Sequence, residues 1–162
     1  GNGRVSPLII VVFIALAVFG SVYMLKPSPR QQRLAGLRLD AIKLGLQVKL
    51  KTFEPDSKKM GVRDDVIATR FERFNPAVKS QALRWCIVRQ PGWEQEGLAE
   101  GWSWNNVNQR PDLDKLSKLL SEVGDDVQVI EVYDNRANIM TIESKSSTAA
   151  LINHWIESAQ QL

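Results

Sequence analysis

Leu8 to Leu25, LIIVVFIALAVFGSVYML, is a run of eighteen residues without a charge. Wound as a helix it rises about 27 Å, close to the roughly 30 Å hydrocarbon thickness of a bilayer. No polar face interrupts the run, and a helix apolar on every side is hard to bury in a small domain. Ser6 and Pro7 precede it as an N-cap and first helical residue, and Lys26-Pro27 and Pro29 close it. A cleaved signal peptide has a shorter apolar region, a basic start and a small-residue cleavage site. Here only Arg4 precedes the run, and Val18-Phe19-Gly20 is a poor cleavage site. A single retained N-terminal transmembrane helix over residues 8–25 is the expectation.

Charge gives that helix a direction. The net charge of the 162-residue chain is +3, but it is unevenly spread. Residues 26–51 carry seven basic groups (Lys26, Arg30, Arg33, Arg38, Lys43, Lys49, Lys51) against Asp40 alone. Residues 90–162 carry five basic and twelve acidic groups, a net −7. Basic residues flanking a span stay on the cytoplasmic side. The expected arrangement is a short extracytoplasmic N-terminus (residues 1–7), the span (8–25), a basic juxtamembrane helix (26–45) and a cytoplasmic domain (46–162) in a bacterial inner membrane. A positive field confined to the membrane-proximal stretch argues against a nucleic-acid partner. One cysteine, Cys86, precludes an internal disulfide.

After Pro29 the chain reads RQQRLAGLRLDAIKLGLQVKL. Leu34, Leu37, Ala41 and Leu44 recur at helical spacing, and Leu39 and Ile42 widen the apolar side. Arg33, Arg38, Asp40 and Lys43 are left to solvent or headgroups. The spacing predicts a helix from about Arg30 to Leu44, ended by Gly45, then a strand through Leu46, Val48 and Leu50. Lys26, Arg30, Arg33 and Arg38 are the candidate headgroup contacts, each worth about 1 kcal/mol near an anionic surface. The topogenic signal alone accounts for the same charges.

The order apolar span, KPSPRQQR, basic helix and LGLQV resembles the start of the small single-span accessory subunit of the bacterial Sec translocase over residues 8–48. That subunit's glycine-rich β segment has no counterpart, because this chain continues through LKTFEPDSKKMGV. Over most of its length the chain resembles uncharacterised single-pass inner-membrane proteins of proteobacteria, with the same span-PSPR-helix start and a tryptophan-bearing C-terminal half. That resemblance implies no activity.

The remainder has the punctuation of one domain. Phe53 to Met60 has turn composition. Residues 64–74 fit both a short amphipathic helix and an alternating strand. Leu83 to Arg89 is apolar on both faces, as in an inner strand, and Pro91-Gly92 breaks it. An acidic loop, WEQEGLAEGW, leads to a strand GWSWN with Trp102 and Trp104 on one face. Pro111, Asp112 and Asp114 open a helix lined by Leu113, Leu116, Leu120 and Val123 and ended by Gly124. Val127–Tyr133 and Ala137–Glu143 form a hairpin. Ser146 or Ser147 caps a last helix lined by Leu151, Ile152, Trp155, Ile156 and Ala159. The fold expected is α+β, a small mixed or antiparallel sheet with helices packed on one face.

Little in the chain carries chemistry. Cys86, inside Trp85-Cys86-Ile87-Val88, is a small buried hydrophobe, and His154 is the single histidine. Ligand spacing for zinc is absent, and so are phosphate-binding glycine loops. Gly92, Gly97 and Gly101 lie in an acidic loop that would repel phosphate. No catalytic residue, cofactor, metal or small-molecule substrate is expected. Of the five tryptophans, Trp85, Trp102, Trp104 and Trp155 belong to core elements. Trp93, with Glu94, Glu96 and Glu100, forms the candidate partner surface. The reading is a membrane-anchored accessory or scaffold protein whose domain docks a protein partner. Its alternatives are an anionic-lipid-sensing juxtamembrane protein and an enzyme with an unrecognised carboxylate site.

Overall fold

The computed structural model describes residues 5–25, 28–54, 66–92, 95–143 and 147–162. The chain divides into two compact units, Gly1–Ala35 and Gly36–Leu162. The first holds helix α1 (Val5–Leu25) and the opening turns of α2 (Pro29–Lys43). The helix α1 starts at Val5, so Pro7 is its third residue rather than its first; the first turn has no intrahelical use for the missing N–H either way. Every described side chain of α1, from Pro7 to Gly20, is exposed. Among the described residues no helix is long and apolar enough to cross a membrane. The backbone of α1 is helical over 21 residues, but its described side chains cover only residues 7–20.

The second unit begins at Gly36, ten residues before the expected domain start at residue 46, because the last two turns of α2 belong to its core. Leu37 and Ala41, one turn apart, are buried there, at 8% and 0% exposure. The helix ends in a Schellman motif. The Leu46 N–H donates to the Ala41 carbonyl, the Gly45 N–H to that of Ile42, and Gly45 takes φ 89°, which costs a glycine nothing. Leu44, expected on the apolar side, and Leu39 and Ile42, expected to widen it, are exposed instead. Leu37 and Ala41 set the buried direction, and Leu39 lies half a turn round from it.

Six strands form one antiparallel sheet: β1 (Gln47–Phe53), β2 (Val66–Phe74), β3 (Leu83–Val88), β4 (Ser103–Val107), β5 (Val127–Tyr133) and β6 (Arg136–Thr141). Their spatial order is β1-β2-β6-β5-β3-β4. The ambiguous residues 64–74 are strand from Val66 onward, since β2 pairs on both sides, with β1 and β6. Tertiary pairing decides between two periodicities that its own sequence satisfies equally. The strand β1 extends to Phe53, one residue into the expected loop, whose residues 55–60 lie outside the described residues.

Helices α2, α3 (Leu113–Glu122) and α4 (Ala149–Gln160) contribute to one core on one face of the sheet. That core joins Leu37, Ala41 and Leu46 to Phe71, Trp85, Ile87, Trp104, Ile130, Ile139, Leu116, Ile152 and Trp155. Trp85 and Trp104 meet edge to face, with ring centroids 6.3 Å apart at 86°. Asp112 caps α3 by accepting from the Asp114 and Lys115 N–H groups. Leu119, in the same helix, joins Leu116 and Leu120 in the core. Thr148, not Ser146 or Ser147, caps α4, by accepting from the Leu151 N–H. Ser147 is already committed, donating its hydroxyl to buried Asp126. Leu151, expected on the packed side, is 41% exposed.

The turn between β5 and β6, Asp134-Asn135, takes no positive φ. Its neighbours hold it instead: Asn75 N–H donates to the Asn135 carbonyl at 2.7 Å, and Asp134 N–H to that of Ala82 at 2.9 Å.

Candidate functional site

On the sheet face opposite the helices, the register aligns one residue from each strand. Gln47 stands opposite Glu72, Glu72 opposite Asn138, Asn138 opposite Glu131, Glu131 opposite Cys86, and Cys86 opposite Asn106. Alternation along each strand places these six on one side, two positions from Arg70, Arg136 and Tyr133. The result is a polar band with charges at its middle.

Glu72 lies between two arginines: Arg136 Nε is 3.2 Å from Oε1 and Arg70 Nη2 is 3.9 Å from Oε2. The Arg136 guanidinium also sits 3.9 Å from the centroid of the Tyr133 ring. The Tyr133 hydroxyl donates to Glu131 Oε2 at 2.8 Å. Burial pushes the Glu131 carboxyl above its ordinary range, while the Tyr133 hydrogen bond, Arg70 and Arg136 pull it back. The Tyr133 hydroxyl, desolvated and beside that carboxylate, is pushed up to about 12. Asn138 is 1% exposed, and its Oδ1 has no hydrogen-bond partner among the described residues. Gln47, Lys49, Arg70, Glu72, Phe74 and Arg136 line a shallow depression beside the band.

The arrangement balances its own charges, and its side-chain contacts link β2, β6 and β5. Cys86, at the far end, is buried, and its thiol is pushed well up by desolvation. It is hydrogen-bonded to Asn105, at the irregularity where β4 steps out of register with β3. Such a thiol is not a nucleophile. Among the described residues no group of three His, Cys, Asp or Glu side chains could hold a metal ion.

A second polar cluster lies on the helix-bearing face. Arg38 donates from Nε to Glu143 Oε2 at 3.0 Å and from Nη2 to Oε1 at 2.7 Å. Thr69, from β2, donates its hydroxyl to the same carboxylate and takes a further contact from Arg38 Nη2 at 3.3 Å. Glu143 holds this position with φ 57°, the only non-glycine in the left-handed region among the described residues. Its N–H donates to Thr141 Oγ1, whose hydroxyl donates on to Asp126 Oδ2. Arg38, expected to meet solvent or headgroups, is therefore the cation of a mostly buried carboxylate. The sequence offered no signal for this pair, which lies 105 residues apart.

The other sequence-derived candidates are dispersed. Lys26, Trp93 and Glu94 lie outside the described residues. Arg30 is exposed and Arg33 half-buried. Glu96 and Glu100 are both exposed on the loop before β4. Glu96 carries an ion pair with Arg110 at 3.3 Å, and its carbonyl accepts from Trp104 Nε1 at 2.8 Å. The loop carrying the two acids is thus fastened to a core tryptophan. His154 is exposed on α4, 3.9 Å from Glu122. No protein-family model matches the chain, and neither a curated protein nor a solved structure does so.

Proposed function

We propose that this chain is a membrane-anchored accessory or scaffold protein of a bacterial inner membrane, whose α+β domain docks a partner protein on the cytoplasmic side. The observation that carries this reading is α1. Its described side chains, apolar apart from Gly20 and interrupted by no charge, are exposed all round the helix. A helix of that kind requires an apolar surrounding, and the uncharged run continues to Leu25. The basic residues after it favour an outside N-terminus and an inside domain. The exposed acids Glu96 and Glu100, with Trp93 and Glu94 beside them in sequence, are the surface assigned to the partner. Trp104 and Arg110 hold that loop in place, so the acids are presented on a fixed support.

Photocrosslinking from position 99 of the full chain in native membranes, followed by mass spectrometry, tests the docking claim. A discrete adduct that disappears in a Glu96→Lys/Glu100→Lys double variant supports it. Recovery of uncrosslinked chain alone refutes it. A reporter fused after Leu162 that is active only when exported would refute the orientation.

A further inference from the structure

The two edges of the sheet are not equally protected. Edge strand β4 is five residues long, its register against β3 is broken between Cys86 and Ile87, and its Ser103 and Trp104 are buried. Shortness and irregularity of that kind keep an edge from pairing with another chain. Edge strand β1 has neither. It runs seven residues without a proline and holds unbroken register with β2, from Gln47 opposite Glu72 to Phe53 opposite Val66. Among the described residues no strand pairs with its outer side, so alternate N–H and C=O groups of β1 face outward.

Both faces of that rim are bare. On the helix-bearing face, Leu50 stands opposite Thr69 and diagonal to Ile67, and the two apolar side chains are 73% and 69% exposed. Alternation sends Lys49 and Lys51 to the other face, where both are exposed. Neither lysine has an ion pair among the described residues. Glu72, on their face, is already shared between Arg136 and Arg70.

We infer that the outer edge of β1 takes an extended acidic segment of a partner protein as a further strand of the sheet. The ladder supplies main-chain hydrogen bonds, and the alternation of β1 sets the partner's pattern. Carboxylates of the segment stand opposite Lys49 and Lys51, and an apolar side chain between them covers Leu50. Charge excludes a second copy, because antiparallel pairing centred on Leu50 sets Lys49 of one chain against Lys51 of the other. A bilayer meets one face of a strand, whereas Leu50 and the lysines point to opposite faces. This edge is separate from the acidic loop assigned to a partner above, and its occupancy does not depend on the anchor.

The test measures fluorescence anisotropy of a labelled peptide of alternating glutamate and valine with the full chain in detergent. The expected result is saturable binding that is lost when alternate amides of the peptide are N-methylated, since such a peptide keeps its charge but cannot complete the ladder. In a Lys49→Glu/Lys51→Glu variant the affinity falls about tenfold or more. Both positions are exposed, so the variant keeps its urea transition, and it binds an alternating lysine–valine peptide instead. Absence of binding, undiminished binding of the N-methylated peptide, or an unchanged preference in the double variant overturns the inference. A disulfide between two Leu50→Cys chains assigns the edge to a second copy, and quenching of a fluorophore at that cysteine by spin-labelled lipid assigns it to the bilayer. Either result overturns the inference as well.

Discussion

Replacing Arg38 by methionine removes the cation facing Glu143 while keeping much of the side chain's length. The Glu143 side chain is only 6% exposed, whereas that of Arg38 is 41% exposed. Stranding a fully buried carboxylate costs roughly 3–5 kcal/mol. Solvent already reaches the arginine side of this pair, and water can replace part of what is lost, so about 2 kcal/mol is the appropriate expectation. The loss should depend on the carboxylate. In a Glu143→Gln background, where Thr69 and the amide can still bond, the same Arg38→Met change is expected to cost less than about 1 kcal/mol. Arg38→Lys keeps the charge but loses the two-pronged contact and should fall between. Urea titration of the full chain followed by tryptophan emission reads all four variants, because Trp85, Trp102, Trp104 and Trp155 are buried. A loss below about 0.5 kcal/mol for Arg38→Met, or an equal loss in both backgrounds, would refute the assignment of Arg38 to Glu143.

Two further expectations come from the opposite face of the sheet. Burial raises the Glu131 carboxyl above its ordinary value of 4.5, so the folded chain holds this proton more tightly than the unfolded one. Stability attached to Glu131 is then greatest below that ordinary value and falls as pH rises through the folded one. Glu131→Gln keeps an acceptor for the Tyr133 hydroxyl and should raise the urea midpoint at neutral pH but not in acid; a lower midpoint at neutral pH would contradict this. Cys86 is 1% exposed, with a thiol pushed up by burial and by Glu131. Aromatic disulfide reagents should modify it only as fast as the domain unfolds, and modification at the rate of a free thiol would show the β3–β5 pairing to be open.

The sequence displayed the elements that close on themselves locally. Helix α3 shows its cap at Asp112, its apolar spacing and its glycine stop within a dozen residues. The hairpin of β5 and β6 alternates on both sides of a two-residue turn. What it concealed was set by partners distant in the chain. Residues 66–74 satisfy two periodicities, and only pairing with β1 and β6 selects one. Ser147 has cap chemistry, but Asp126 claims its hydroxyl and the cap passes to Thr148. Leu39 and Leu37 look alike in a helical reading, yet one is bare and the other is core. The candidate charges at Arg38 were legible as charges and not as half of a pair, because nothing near Arg38 in sequence announces Glu143.

The place of α2 in the topology has a mechanical consequence. The strand β1 is an edge of the sheet, and every pull arriving from the amino-terminal side reaches it through α2. The first attachments to bear load are Leu37 and Ala41 in the core and the two hydrogen bonds from Arg38 to Glu143. A load arriving from the amino-terminal side therefore meets a short element at the rim before it meets the β1–β2 ladder.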